Sequence, residues 1–153
     1  MRPMSEILSD ALASFEGGKR WTHGTLWRDA EGNATAVDSP VSAETADTFC
    51  AYGAIYRSMH NHGEIDIASE QQQVNVVGWV EKLLPKPPGW YVTSVNDQAE
   101  TFEPVKKMFC GGVKRALMIE ESGASINSLK TGYDVTTNQP VDYIEAPPDD
   151  PTT

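Results

Sequence analysis

The sequence predicts a helix-rich α+β fold: about four helices packed with one small β-hairpin, followed by an extended acidic C-terminal tail. Three observations predict it. Apolar residues recur at three- and four-residue intervals in four stretches, the spacing that stacks side chains on one helical face. Strand-like residues turn about Asp29-Ala30-Glu31-Gly32-Asn33, the composition of a hairpin loop. Beyond residue 120 large apolar side chains thin out and Ser, Thr, Asn, Pro and Asp take over. The compact domain is accordingly placed at 1–120 and the tail at 121–153.

The first helix is predicted over Ser5 to Phe15, where Ile7, Leu8, Ala11, Leu12 and Phe15 form an amphipathic stripe. Gly17-Gly18 ends it, because glycine enters the left-handed conformation at a helix C-terminus without steric cost. Thr22 to Arg28 and Ala34 to Val37 are the two strands of the hairpin, at about 21–38, and Trp21 and Trp27 are its means of docking. Two strands alone are marginal in water, so this hairpin must lie on the helices.

The central helix is predicted from Ser42 to Met59, with Ser42 as N-cap and Ala46, Phe49, Cys50, Gly53, Ala54 and Arg57 facing inward. Gly53 in mid-helix costs about 1 kcal/mol relative to alanine, which close packing can offset. A third helix spans Glu70 to Leu84, although Val74, Val76, Val77 and Val80 are β-branched and also suit a strand. Pro85, Pro87, Pro88 and Gly89 end it, and Trp90-Tyr91-Val92 reads as a short extended piece. In the fourth helix Val105, Met108, Phe109, Gly112, Val113, Ala116 and Leu117 share one face, with Thr101 as cap and Pro104 in the first turn. Gly53 and Gly112 suggest two helices crossing at small residues.

The tail carries a net −5, half of the chain's net charge of −10. Its composition cannot offset the entropy of ordering, so it is expected to be extended and disordered in isolation. Tyr133, Val135, Val141, Tyr143 and Ile144 interrupt the polar background as anchor points for a partner. The overall negative charge argues against sequence-independent binding to nucleic-acid backbones. No apolar run is long enough to span a bilayer, and acidic residues spoil the N-terminus as a signal peptide. Cys50 and Cys110, both in helical patterns, read as buried thiols of a reducing compartment. These features predict a cytoplasmic protein.

Trp21-Thr22-His23-Gly24, the run from Phe49 to Arg57, and Val95-Asn96-Asp97 leading into a helix together carry a resemblance. The combination resembles an uncharacterised family of small bacterial and phage proteins with Cys-x-x-Gly-Ala in a helix, then Trp-Asn-Asp and a second helix. It would cover Ile7 to Leu117. Val95 stands where that pattern has tryptophan, and Pro104 where an acidic residue often completes a capping box. The resemblance implies a bacterial or phage origin and no activity; a virion location is the alternative to the cytoplasm if the protein is a phage structural one.

Asn96-Asp97, read as a loop before the last helix, is the strongest polar candidate: Asp97 as general base or metal ligand, Asn96 as holder of a substrate oxygen. The plainer alternative is an Asx-turn that fixes the helix entry. Arg57 could pair with Asp97 or bind an anion, and His23 could join them. His60 and His62 could share a metal with His23 or Asp66, but the spacing lacks a second ligand cluster. Trp90, beside Pro87-Pro88-Gly89, is an exposed contact candidate. No cofactor is implied. Three functions follow: first, a non-catalytic interaction or assembly module, phage-encoded accessory or virion-associated, that binds another protein or itself through the tail. The second is a small hydrolase or transferase using Asp97, Asn96, Arg57 and His23. The third is a protein that sequesters a small anion or nucleotide.

Overall fold

The computed structural model describes residues 1–145. The fold is α+β and helix-rich, with six α-helices among these residues in place of the four expected. In chain order they are α1 (Met4–Ser14), β1 (Trp27–Arg28), α2 (Pro40–Thr45), β2 (Thr48–Phe49), α3 (Ala51–Asn61), α4 (Glu70–Leu83), α5 (Val92–Gln98), α6 (Glu103–Ser122), β3 (Leu129–Asp134) and β4 (Gln139–Ile144). The strands form two separate two-stranded antiparallel sheets, β1 with β2 and β3 with β4. No helix among the described residues is long and apolar enough to cross a membrane.

The predicted stripe of α1 is the centre of the core: Ile7, Leu8, Ala11 and Phe15 are all fully buried against α3 and α6. Phe15 meets Phe49 at 5.4 Å, Phe102 at 5.0 Å and Phe109 edge-on at 5.6 Å between ring centroids, so one aromatic cluster joins the end of α1, β2 and the first half of α6. Aromatic pairs in such tilted and edge-on arrangements each contribute about 0.5–1.5 kcal/mol beyond the area they bury. α4 forms as expected and is not a strand; Ser69 caps it and Val76, Val80 and Leu83 face inward, while Val74 is exposed.

The continuous central helix is not found. Ser39 caps α2 at Ser42 N–H, Ala46 leaves the helical region, and Thr48–Phe49 runs extended. The backbone there is claimed by other partners: Asp47 N–H donates to Arg28 O, Phe49 N–H to Arg20 O, and Cys50 N–H to Leu26 O. The expected hairpin at 21–38 is corrected by the same bonds. β1 pairs with β2, and only a single bridge, Arg28 to Ala34, remains of the 22–28/34–37 pairing. Trp27 is fully buried and its indole donates to Ala36 O, as a docking residue should.

Gly53 and Gly112 do not meet. A Cβ on Gly53 would lie 2.2 Å from Leu26 O, whereas one on Gly112 would meet Leu84 and Leu8. The small residue of α3 therefore admits the backbone of Leu26, just before β1, not a helix.

The extended tail is corrected most. α6 continues to Ser122, ended by Gly123 in the left-handed conformation (φ 69°). The chain then forms the β3–β4 hairpin, with Leu129 opposite Ile144 and Asp134 opposite Gln139. Arg115 on α6 fastens it, donating through Nε and Nη2 to the two Asp142 carboxylate oxygens at 2.9 and 3.1 Å. Leu129 and Ile144 pack against the core from the hairpin's inner face. Burial raises the Asp142 carboxyl, but hydrogen bonds from Arg115 and Thr131 outweigh it and hold the carboxyl below its usual range. Residues 146–153, with the tail's Asp149 and Asp150, lie outside the described residues. Cys50 is buried, but Cys110 is exposed, contrary to the expectation for it.

Candidate functional site

Asn96 and Asp97 do not sit in a loop: they fall in the last turn of α5. That helix starts where it does because Glu81 reaches across from α4. Its carboxylate accepts from Val92 N–H at 3.0 Å and from the Tyr52 hydroxyl at 2.6 Å, and pairs with Lys86 at 3.2 Å. A carboxylate at a helix N-terminus satisfies orphan amides and suits the helix dipole. Burial, then the hydrogen bond to Glu81, pushes the Tyr52 hydroxyl up. Sequence spacing gave no sign of Glu81, because its partners lie 11 and 29 residues away.

Asn96 is 1% exposed and fully occupied. Its Oδ1 accepts from the Trp21 indole at 2.9 Å and from Ala51 N–H, at the start of α3, at 3.0 Å. Its Nδ2 donates to Thr22 O at 3.2 Å and to Asp97 Oδ1 at 3.1 Å. One side chain thus joins α5, the N-terminus of α3 and the Trp21-Thr22 segment. Such a saturated amide holds geometry and has no capacity left for a substrate. Asp97 is exposed, and the same Oδ1 accepts from Gly24 N–H at 3.1 Å.

Asp97, Asn96, Cys50, Tyr52 and Thr93 line a cleft of about 320 Å³. Cys50 caps α3, its Sγ accepting from Gly53 N–H, and burial pushes the thiol up to about 11. A thiol so raised is protonated at neutral pH and a poor nucleophile. Neither His23 nor Arg57 lines this cleft. His23 is exposed with its ring edge-on to Trp21 at 5.5 Å. Arg57 lies over the Phe49 ring at 5.4 Å, with Arg20 over the same ring at 5.1 Å, and makes no ion pair with Asp97 among the described residues. Burial, then the neighbouring Arg20 charge, lowers the Arg57 pKa. The four residues singled out for chemistry are therefore not gathered at one point.

The histidines also part company. His60 pairs with Glu44 at 2.9 Å, and His62 Nδ1 contacts Ser58 O. Among the described residues no group of three His, Cys, Asp or Glu is placed to hold a metal. Of the partner-binding candidates, Tyr133, Val135, Val141, Tyr143 and Trp90 are exposed, and Ile144 packs inward. Sequence reasoning missed the groove that Trp90 borders, whose walls come from α5, α6 and the proline-rich segment between α4 and α5. The signal available was the run Pro85 to Trp90 itself.

The buried acids of this region set an alkaline limit on stability. Tyr56 is raised from an ordinary 10.0 to about 12 by burial, and Cys50 from 9.0 to about 11. In each case the folded state holds its proton longer than the unfolded chain, so stability is complete below the unfolded value and falls as pH rises through the folded one. The urea midpoint is expected to drop from about pH 9 upward, and Tyr56→Phe to flatten the part of that loss between pH 10 and 12.

No curated protein and no solved structure is detectably similar to the chain. A family model does match, and it runs from the first residue to the middle of α6, taking in the Trp21, Phe49–Arg57 and Asn96-Asp97 segments and leaving the β3–β4 hairpin outside. The chain belongs to DUF6197, a family of unknown function, through its residues 1–111.

Proposed function

We propose that the protein is a non-catalytic interaction module whose C-terminal hairpin is its contact arm, binding another protein or a second copy of itself. The observation that carries this is the exposure of the hairpin's apolar side chains. Val135 in the turn is 85% and Tyr133 59% exposed, and Val141 and Tyr143 are exposed on the opposite face of the sheet from Tyr133, so both faces of the arm offer apolar contacts. Tyrosine offers a rigid apolar body and a polar tip, the type of side chain enriched where proteins meet. Both outer edges of the two-stranded sheet are unpaired among the described residues, so a partner strand can be added at either. The arm is held in place by Arg115 and Asp142, which reduces the ordering cost of binding. On this reading the protein works in the cytoplasm, or in a virion if it is a phage structural protein.

The test is a triple variant, Tyr133→Ser, Val135→Ser and Tyr143→Ser, compared with the native chain. Light scattering after size exclusion reads self-association, and affinity capture reads other partners. Association present in the native chain and lost in the variant supports the reading. Identical profiles, with the variant folded as judged by circular dichroism, refute it.

A further inference from the structure

We propose that the groove between α5, α6 and the Pro85–Trp90 segment is a binding site for a small hydrophobic carboxylate, a role separate from the hairpin's. The groove encloses about 600 Å³, within the range of small-molecule sites. Its walls are apolar: Pro85, Pro87, Trp90, Val95, Pro104 and Met108 supply most of them. The three prolines have no N–H to offer and Gln98 is the one amide side chain in the lining, so few donors await the carbonyls of a peptide main chain laid here. An apolar body needs none. Proline rings, an indole and a thioether also present flat or adaptable faces to it.

The charge of the site is set by two lysines, and only one is available. Lys86 is committed to the fold, its ammonium contacting Glu81 Oε2 together with the carbonyl oxygens of Glu81 and Leu84. Lys107 is exposed and makes no ion pair or side-chain hydrogen bond among the described residues. Lys106 stands beside it over an adjoining depression lined by Thr101, Glu103, Pro104 and Cys110, so two lysines face one carboxylate there. On a chain of net charge −10 this rim is a local exception, and no carboxylate lines the groove. The uncommitted Lys107 ammonium at the mouth of an apolar groove favours one anionic group on an apolar body.

Decanoate is the probe and decanol its neutral counterpart, both titrated into the full chain. The readout is the Trp90 indole N–H resonance, assigned by its disappearance in Trp90→Phe. Decanoate is expected to shift this resonance saturably, and Lys107→Glu to weaken it about tenfold, the loss of one charge-assisted contact, while decanol binding stays unchanged. Lys107 is exposed, so the variant folds; circular dichroism checks it. No saturable shift at Trp90 overturns the site. Equal affinity of decanoate for native chain and variant, or equal affinity of decanoate and decanol for the native chain, overturns the role of Lys107 and with it the assignment of a carboxylate.

Discussion

Gly53→Ala is expected to destabilise the protein by about 3 kcal/mol or more, a large part of a marginal domain's stability. On an exposed helix the same change stabilises by up to about 1 kcal/mol. Here the added methyl would sit 2.2 Å from Leu26 O and 3.0 Å from Phe49 Cβ. The obstacle is backbone, which cannot rotate away as a side-chain end can. Relief requires α3 to withdraw from the β1 segment, which breaks the bond from Cys50 N–H to Leu26 O and shifts Phe49 within the aromatic cluster. Overpacking of this kind exceeds the usual 1–3 kcal/mol range only when the neighbour is rigid, as it is here. Gly78→Ala is the internal control. It lies inside α4 with nothing near its would-be Cβ and should gain up to about 1 kcal/mol. Urea denaturation of both variants decides the matter, and a Gly53→Ala midpoint equal to the native one would refute the close approach.

Asn96→Ala should cost about 3 kcal/mol through a different route. Removing the amide orphans the Trp21 indole N–H, Ala51 N–H and Thr22 O in one step. Each orphaned group costs about 1–3 kcal/mol when water cannot reach it, and Ala51 N–H is in the interior. Asn96→Asp separates hydrogen bonding from shape. It keeps the oxygen that accepts from Trp21 and Ala51 but turns the donor toward Thr22 O and Asp97 into a second acceptor, in a buried site that disfavours charge. Its midpoint is expected to fall as well, and hydrogen exchange at Ala51 to accelerate in the alanine variant more than in the aspartate one. An Asn96→Ala protein as stable as the native chain would return Asn96 to the list of ligand-binding candidates.

How much of this was legible in the sequence depends on how local the cause was. α1 and α4 were, because each carries its own apolar stripe and its own stop signal, Gly17 and the Pro85–Pro88 run; α6 was legible in its stripe, but it runs past Leu117 to Ser122 and ends at Gly123. The central helix was misread because Ala46, Phe49, Cys50 and Gly53 keep helical spacing while Thr48–Phe49 is drawn into a strand by Arg20, Leu26 and Arg28. That competition is decided by residues about twenty positions earlier, which no local pattern contains. The hairpin was misread for the opposite reason. Tyr133 and Val135, then Val141 and Tyr143, do alternate with period two, but the polar composition around them suggested disorder, and the docking residue, Arg115, lies on another element. For the site, residue types were chosen sensibly and places were not. Asn96 matters as a fastener, and Arg57 and Asp97 serve different neighbourhoods.

The contrast between the two cysteines has a practical outcome. Cys50 is enclosed and carries its proton up to about pH 11, whereas Cys110 faces solvent on α6, one turn beyond Lys106 and Lys107. The native chain is thus built for single-point conjugation: a maleimide dye or nitroxide reports from Cys110 without any engineering. Its position at the lip of the depression beside the Trp90 groove makes that label a local sensor of anything that settles there. The same exposure means that stocks kept without reductant will accumulate cross-linked pairs through this sulfur alone, and these must be removed before any light-scattering measurement of self-association is interpreted.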